Sequence, residues 1–163
     1  MAVRCLNECM GEGWVAYHGD CVDVVRQLPD ASVGFSVYSP PFANIFVYSD
    51  SIADMGNCAS DDEFYAHYRF LIAEKMRVTK PGRLTAVHTA PVPGSNTGRD
   101  AYFDFPGDVI RLHEEHGWDW ISRHVIWKEP LAVRNRTMAK NLAHQTIVQD
   151  ATRAGVAAAE VPA

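Results

Sequence analysis

The sequence predicts an α/β layer fold built on a mostly parallel sheet, and three observations carry that expectation. Short apolar runs suited to strands alternate along the chain with stretches whose apolar residues recur every three or four positions. The helical stretches carry their own start and stop signals. The run from Ser32 to Tyr38 is apolar almost throughout, as a strand covered on both faces would be. The 163 residues are the length of one ordinary domain, and 47% hydrophobic with 21% charged residues is the balance of a chain that folds.

Taken in order, Trp14 to His18 reads as a first strand, and Asp20 can cap a helix over Cys21 to Leu28, where Val22, Val25 and Leu28 recur at helical spacing. Pro29-Asp30 breaks that helix before the strand Ser32 to Tyr38. Ala43 to Ala59 is a long connection, of the kind that usually carries function inside a domain. Ser60-Asp61-Asp62-Glu63 forms a capping box. The helix it opens shows Phe64, Tyr68, Leu71, Ile72 and Met76 on one stripe and stops at Lys80-Pro81-Gly82. A strand over Leu84 to Thr89, a second long loop over Ala90 to Phe105, and a helix from Pro106 to Gly117 follow. Trp118 to Trp127 reads as a last strand, with Trp118, Trp120 and Trp127 as core residues. The Ala-rich segment 151–163 is expected to fray.

Several classes are set aside. No apolar run approaches the length of a membrane span, and Arg4, Asn7 and Glu8 interrupt the N-terminus, so neither a membrane helix nor a secretory signal is expected and the expected location is cytoplasmic. Cys5, Cys9, Cys21 and Cys58 have neither disulfide-framework nor zinc spacing; reduced thiols and no metal are expected. His113 and His116 share a helix face without a glutamate-bearing zinc signature and read as surface residues. No nucleophile elbow and no phosphate-binding Gly-Lys-Ser/Thr is found. The net charge of −5 does not advertise a nucleic-acid binder. Its distribution is uneven, however: Arg123, Lys128, Arg134, Arg136 and Lys140 face the single acid Glu129 in their stretch. That cluster is either a solvated loop or a strip that contacts phosphates.

The feature with most chemical content is Ser39-Pro40-Pro41-Phe42 at the end of the strand Ser32 to Tyr38. Two adjacent prolines cannot extend a central strand, since neither offers a ladder N–H. A hydroxyl, a backbone carbonyl and an aromatic ring are thereby held at the strand's carboxyl end, where open α/β sheets place their ligands. A strand-terminating turn is the plain alternative.

The tetrapeptide resembles the catalytic motif of amino-group DNA methyltransferases, Ser/Asp/Asn-Pro-Pro followed by an aromatic, and its serine form looks most like the N4-cytosine branch. The resemblance extends over Gly19-Asp20-Cys21, Val24-Val25, Leu28-Pro29-Asp30-Ala31-Ser32-Val33 and Lys80-Pro81-Gly82-Arg83-Leu84, in the order of the β-type enzymes. It implies a partial Rossmann-like fold that uses S-adenosylmethionine, with residues 1–150 as the N-terminal catalytic part. It implies DNA as partner, Asp20 as a contact to the cofactor's adenosine, and Ser39, Pro40, Pro41 and Phe42 as the catalytic set. In that role the Ser39 hydroxyl and the Pro40 carbonyl would accept from the two amine hydrogens, Pro41 would stiffen the turn, and Phe42 would stack on an extruded base.

The match has a gap. The glycine-rich loop that follows the catalytic half in those enzymes is not found; Pro93-Gly94-Ser95-Asn96-Thr97-Gly98 lacks its pattern and follows the wrong strand. The fold is therefore expected to be incomplete, with an unpaired apolar edge along Val33 to Tyr38, and a second polypeptide carrying the loop is the expected partner. N6-adenine specificity, and a non-catalytic remnant or DNA-binding subunit using the strip from Arg123 to Lys140, are the alternative readings. His88 ends a strand at the same edge as the motif and is a pocket candidate, while Asp54 and Asn57 are either ordering residues over the site or ordinary turn residues.

Overall fold

The computed structural model describes residues 3–42, 47–93 and 102–127. The chain divides into two units after Trp120, and each is described by itself. The boundary expected at residue 150 lies outside the described residues.

The first unit opens with an antiparallel hairpin in which β1 (Asn7–Gly11) pairs with β2 (Trp14–His18), Asn7 opposite His18 and Gly11 opposite Trp14. Glu12 and Gly13 make the connection, and Gly13 has φ +78, a backbone conformation that a β-carbon would strain. Helix α1 (Cys21–Arg26) follows, its first turn closed by the Asp20 carboxylate, which accepts from the Asp23 amide at 3.0 Å. Strand β3 (Val33–Tyr38), helix α2 (Asp61–Val78) and strand β4 (Thr79–Val87) form a βαβ unit with β3 and β4 paired in parallel. Phe35 lies opposite Leu84 and Tyr38 opposite Val87; a register shift before Phe35 takes up Lys80 to Arg83, where Gly82 has φ +70. Strands β5 (Val92–Pro93) and β6 (Tyr102–Phe103) make a short antiparallel pair, and helix α3 (Phe105–Glu115) follows with Asp104 as its cap, accepting from the Gly107 amide.

The core lies between the two longer helices. Phe64, Tyr68, Leu71 and Ile72 of α2 are buried with Phe105, Val109 and Leu112 of α3 and with Val92 and Phe103 of the β5–β6 pair. The start signal of α2 is used almost as read: Ser60 Oγ accepts from the Glu63 amide at 3.2 Å, while the Glu63 carboxylate reaches back to the amide of Ala59, one residue beyond the usual capping box. Arg77 ties α1 to α2. Its guanidinium donates to the carbonyls of Val25, Arg26 and Leu28 and pairs with Asp30 and Glu74, so it gathers carbonyls at and just beyond the end of α1.

Several expectations are corrected. The α/β character is present, but the described residues hold no single larger sheet: the strands form three separate pairs, β3–β4 parallel and the other two antiparallel. β3 is covered on one face, not two. Ser36 and Tyr38 face α2 and α3, whereas Phe35 and Val37, with Leu84 of β4, are 60%, 69% and 55% exposed. Its second edge has no partner among the described residues. Helix α2 ends at Val78, and its buried stripe continues through Lys75 rather than Met76, which is 41% exposed. His113 is not a surface residue; it is buried, with 7% exposure. No strand forms over Trp118 to Trp127: a run of β-formers becomes a strand only when it pairs, and among the described residues this segment pairs with no other strand. Trp118 does pack on the core, but Trp120 and Trp127 are exposed. In the second unit only Ile121 to Trp127 is described; Ser122 and His124 share a hydrogen bond there.

Candidate active site at the end of strand β3

The parallel ladder runs one residue beyond the strands, since the His88 amide donates to the Tyr38 carbonyl at 2.9 Å. The next residue of the chain, Ser39, is exposed, and its hydroxyl donates to the His88 carbonyl at 3.0 Å. With its proton engaged, the Ser39 oxygen presents lone pairs to whatever approaches, as an acceptor should. Pro40 is buried and Pro41 and Phe42 are half-buried, so the turn is anchored rather than free. The Phe42 ring meets Phe105, the first residue of α3, edge-on at 6.0 Å between centroids, and lies 6.4 Å from the His88 ring at 46°. Ser39, Pro40, Pro41 and Phe42 thus sit together at the exit of β3 and β4, with Phe42 at the rim of the core.

Beneath them lies a polar cluster that the sequence reading missed. The Tyr38 hydroxyl is 2.7 Å from that of Tyr68 and 3.0 Å from His113 Nε2, and His113 Nδ1 is 2.7 Å from the Val109 carbonyl. A carbonyl can only accept, so Nδ1 carries the proton, Nε2 accepts from Tyr38, and the Tyr38 oxygen accepts from Tyr68. Burial pushes the Tyr38 and Tyr68 hydroxyls up and the His113 imidazole down, which keeps all three neutral. Lys75 enters the same layer from α2: its ammonium donates to Ser36 Oγ at 2.8 Å and stands 3.7 Å over the Tyr38 ring. Ser36 Oγ is in turn 2.8 Å from Thr85 Oγ1 of β4. Burial lowers Lys75 to about 8. The signal that could have found Lys75 is its position, in step with Phe64, Tyr68, Leu71 and Ile72 on the apolar stripe.

Asp20 is the cap of α1, as its sequence context predicts, and it also borders a shallow cavity of about 290 Å³ with Val22, Met55, His67 and Phe70. Asp23, Arg26 and Ala53 complete its lining, so the cavity sets two carboxylates and a guanidinium beside aliphatic, thioether and aromatic surface, a donor set that could hold the hydroxyls and base of a nucleoside. Asp54 and Asn57 are internal ties of their loop. The Asp54 carboxylate accepts from the amides of Tyr48, Ser49 and Gly56 and from the Ser49 hydroxyl, and Asn57 Nδ2 donates to the carbonyls of Ser49 and Ser51. Desolvation raises the Asp54 carboxyl, but these donors outweigh it and hold it below the usual range. The four cysteines are free thiols. Of the basic strip, Arg123 is described and exposed; Lys128, Arg134, Arg136 and Lys140, like Gly94 to Gly98, lie outside the described residues.

Comparison with known proteins agrees with the family resemblance. No protein-family profile matches the chain. The chain is 31% identical over 75 residues to the type II methyltransferase M.BamHI of Bacillus amyloliquefaciens, a match that covers 46% of this chain and 17% of that protein. Its fold resembles the crystal structure of a DNA modification methylase from Thermus thermophilus, with a TM-score of 0.50 and 22% identity over 64% of this chain and 38% of that one. The chain is related to DNA methyltransferases. It spans only about a sixth of the length of the curated methyltransferase it matches and 38% of the solved methylase. No helix among the described residues of this methyltransferase relative is long and apolar enough to cross a membrane.

Proposed function

We propose that this chain is the catalytic part of a DNA methyltransferase that methylates the exocyclic amine of a base, cytosine N4 in the first place. The observation that carries the proposal is the Ser39 hydroxyl, exposed at the end of a parallel strand and turned into an acceptor by its bond to the His88 carbonyl. An exocyclic amine is a poor nucleophile because its lone pair is delocalised into the ring. Acceptors at Ser39 Oγ and the Pro40 carbonyl would draw its two hydrogens out of the ring plane and localise that pair. The exposed side of Phe42 would hold the base flat against the site after it leaves the helix. The gain is orientation and electrostatics, with no covalent adduct to the protein. S-adenosylmethionine supplies the methyl group when bound, and Asp20, Val22, Met55 and Phe70 would hold its adenosine end. Arg123, Lys128, Arg134, Arg136 and Lys140 would contact DNA phosphates.

The uncovered face of β3 favours a further element of this reading, completion by a polypeptide that brings the glycine-rich loop and covers Phe35 and Val37. The same exposed face also suits a non-catalytic remnant. Purified chain incubated with labelled S-adenosylmethionine and unmodified DNA separates these readings, with the methylated base identified after digestion. N4-methylcytosine formed only when the completing polypeptide is added is the expected result. Robust transfer by the chain alone would sink the need for a partner, N6-methyladenine would reassign the base, and no cofactor binding under either condition would leave the remnant.

A further inference from the structure

We propose that the imidazole of His88 accepts the proton that the target amine sheds, a role that rests on the methyltransferase reading above. An amine that gains a methyl group must lose a hydrogen. Neither acceptor in the motif can keep it: a hydroxyl oxygen and an amide carbonyl accept hydrogen bonds but are far too weakly basic to hold a proton near neutral pH. The motif here has serine where related motifs can carry aspartate, so it contains no carboxylate of its own.

His88 is the residue placed to take that proton. The β3–β4 register pairs Tyr38 with Val87, and the ladder continues through the His88 amide, which sets Ser39 and His88 side by side. Its carbonyl holds the Ser39 hydroxyl at 3.0 Å, and its ring approaches the Phe42 ring at 6.4 Å. The imidazole therefore lies beside the stacking ring and belongs to the residue whose carbonyl holds the acceptor hydroxyl. The nearby basic groups beneath the motif are committed elsewhere: Lys75 to Ser36 and the Tyr38 ring, and His113 to Val109 and Tyr38. His88 is exposed, so a proton it takes can pass to water. Atoms and electrons balance in one step. The amine lone pair forms the new N–C bond to the methyl of a sulfonium donor, the C–S bond breaks with its electron pair going to sulfur, and the amine proton moves to the neutral imidazole, which then releases it to solvent.

The test uses the full chain in two experiments. Protein labelled on histidine and phenylalanine is titrated with a short oligodeoxycytidylate and followed by NMR; the His88 imidazole resonances are expected to move together with those of the Phe42 ring. Methyl transfer to DNA, with whatever polypeptide completes the enzyme, is then compared for His88→Gln and His88→Asp. Both substitutions keep the backbone carbonyl that holds Ser39. The Gln variant, which cannot take a proton, should lose about 100-fold or more, whereas the Asp variant, which can, should recover most of it. A Gln variant as active as the parent, or Phe42 resonances that move while those of His88 stay, overturns the assignment to His88 alone. No shift at any residue of the motif and no methyl transfer overturns the methyltransferase reading, and the role of His88 with it.

Discussion

The Ser39 hydroxyl and the backbone carbonyl of His88 are joined by a 3.0 Å hydrogen bond that spans the carboxyl ends of two parallel strands. The bond fixes the direction of a proton rather than the position of a heavy atom, and so decides whether Ser39 gives or accepts. Replacing the hydroxyl removes that choice. Ser39→Ala should lower methyl transfer about 100-fold or more, the scale seen when one oriented hydrogen-bonding group is taken from a reacting centre. Its unfolding free energy should fall by no more than about 1 kcal/mol, because the site is exposed. Parallel assays of methyl transfer and urea unfolding check both halves of the statement.

Removing the end of the Tyr68–Tyr38–His113 chain should act on stability. In His113→Leu the Tyr38 hydroxyl loses its acceptor while Tyr68 still donates to it, leaving a buried O–H unpaired at a cost of about 1–3 kcal/mol. The urea midpoint should drop with an unchanged slope. A midpoint equal to the parent's would mean that the three groups are not linked as their geometry implies.

Lys75 gives a pH dependence with a definite sign. Its folded-state value, about 8, lies below its ordinary 10.5, so between these limits the unfolded chain binds more protons than the folded one. Stability from this residue is therefore lowest below about pH 8 and rises as pH climbs towards 10.5. Lys75→Met removes the cost of burying the ammonium, together with its bond to Ser36 and its contact with the Tyr38 ring. It should be more stable than the parent at pH 7, and its advantage should shrink steadily above pH 8. Comparing the two proteins at each pH cancels the tyrosines, whose raised values act in the opposite direction at higher pH. A constant difference across the range contradicts the argument.

The bare side of β3 and β4 should govern how the purified chain behaves. Phe35, Val37 and Leu84 expose apolar surface beside an edge that has no strand partner among the described residues, which favours self-association and dye binding. Val37→Lys places a charge on that surface without disturbing the face packed on α2. It should reduce both the apparent mass in light scattering and the fluorescence of a hydrophobic dye. Unchanged values would show that association, where seen, uses another surface.

What the sequence made legible was whatever is specified locally. Asp20 before Cys21 and Ser60 before Asp61 carry their meaning within four residues, and helices formed where they pointed, whereas Pro81-Gly82, expected as a turn before a strand at Leu84, lies within β4 as an irregularity of its pairing. The place of Ser39 to Phe42 at a strand end was readable for the same reason. What was not readable depends on partners distant in sequence. Strand β1, Asn-Glu-Cys-Met-Gly, has little strand character and is defined by its pairing with Trp14 to His18. Trp118 to Trp127 has that character and lacks the partner. His113 read as a surface residue and Lys75 drew no attention, because their types are usually solvated; both are buried against Tyr38, a contact that forms only once β3, α2 and α3 are assembled.

Arg77, which gathers the last carbonyls of α1, has a reach beyond its own contacts. The helix it closes is six residues long, and Asp20 stands at the other end. A rod that short cannot bend, so the guanidinium at its foot sets the tilt of its head. The acidic wall of the cavity is thus aimed from below by a cation that never touches it. The same cation belongs to α2, which lays Lys75 under Tyr38, so the cavity and the turn at Ser39 to Phe42 are registered to one helix. Donor side and acceptor side of the proposed reaction would keep their spacing as parts cut from a single rule.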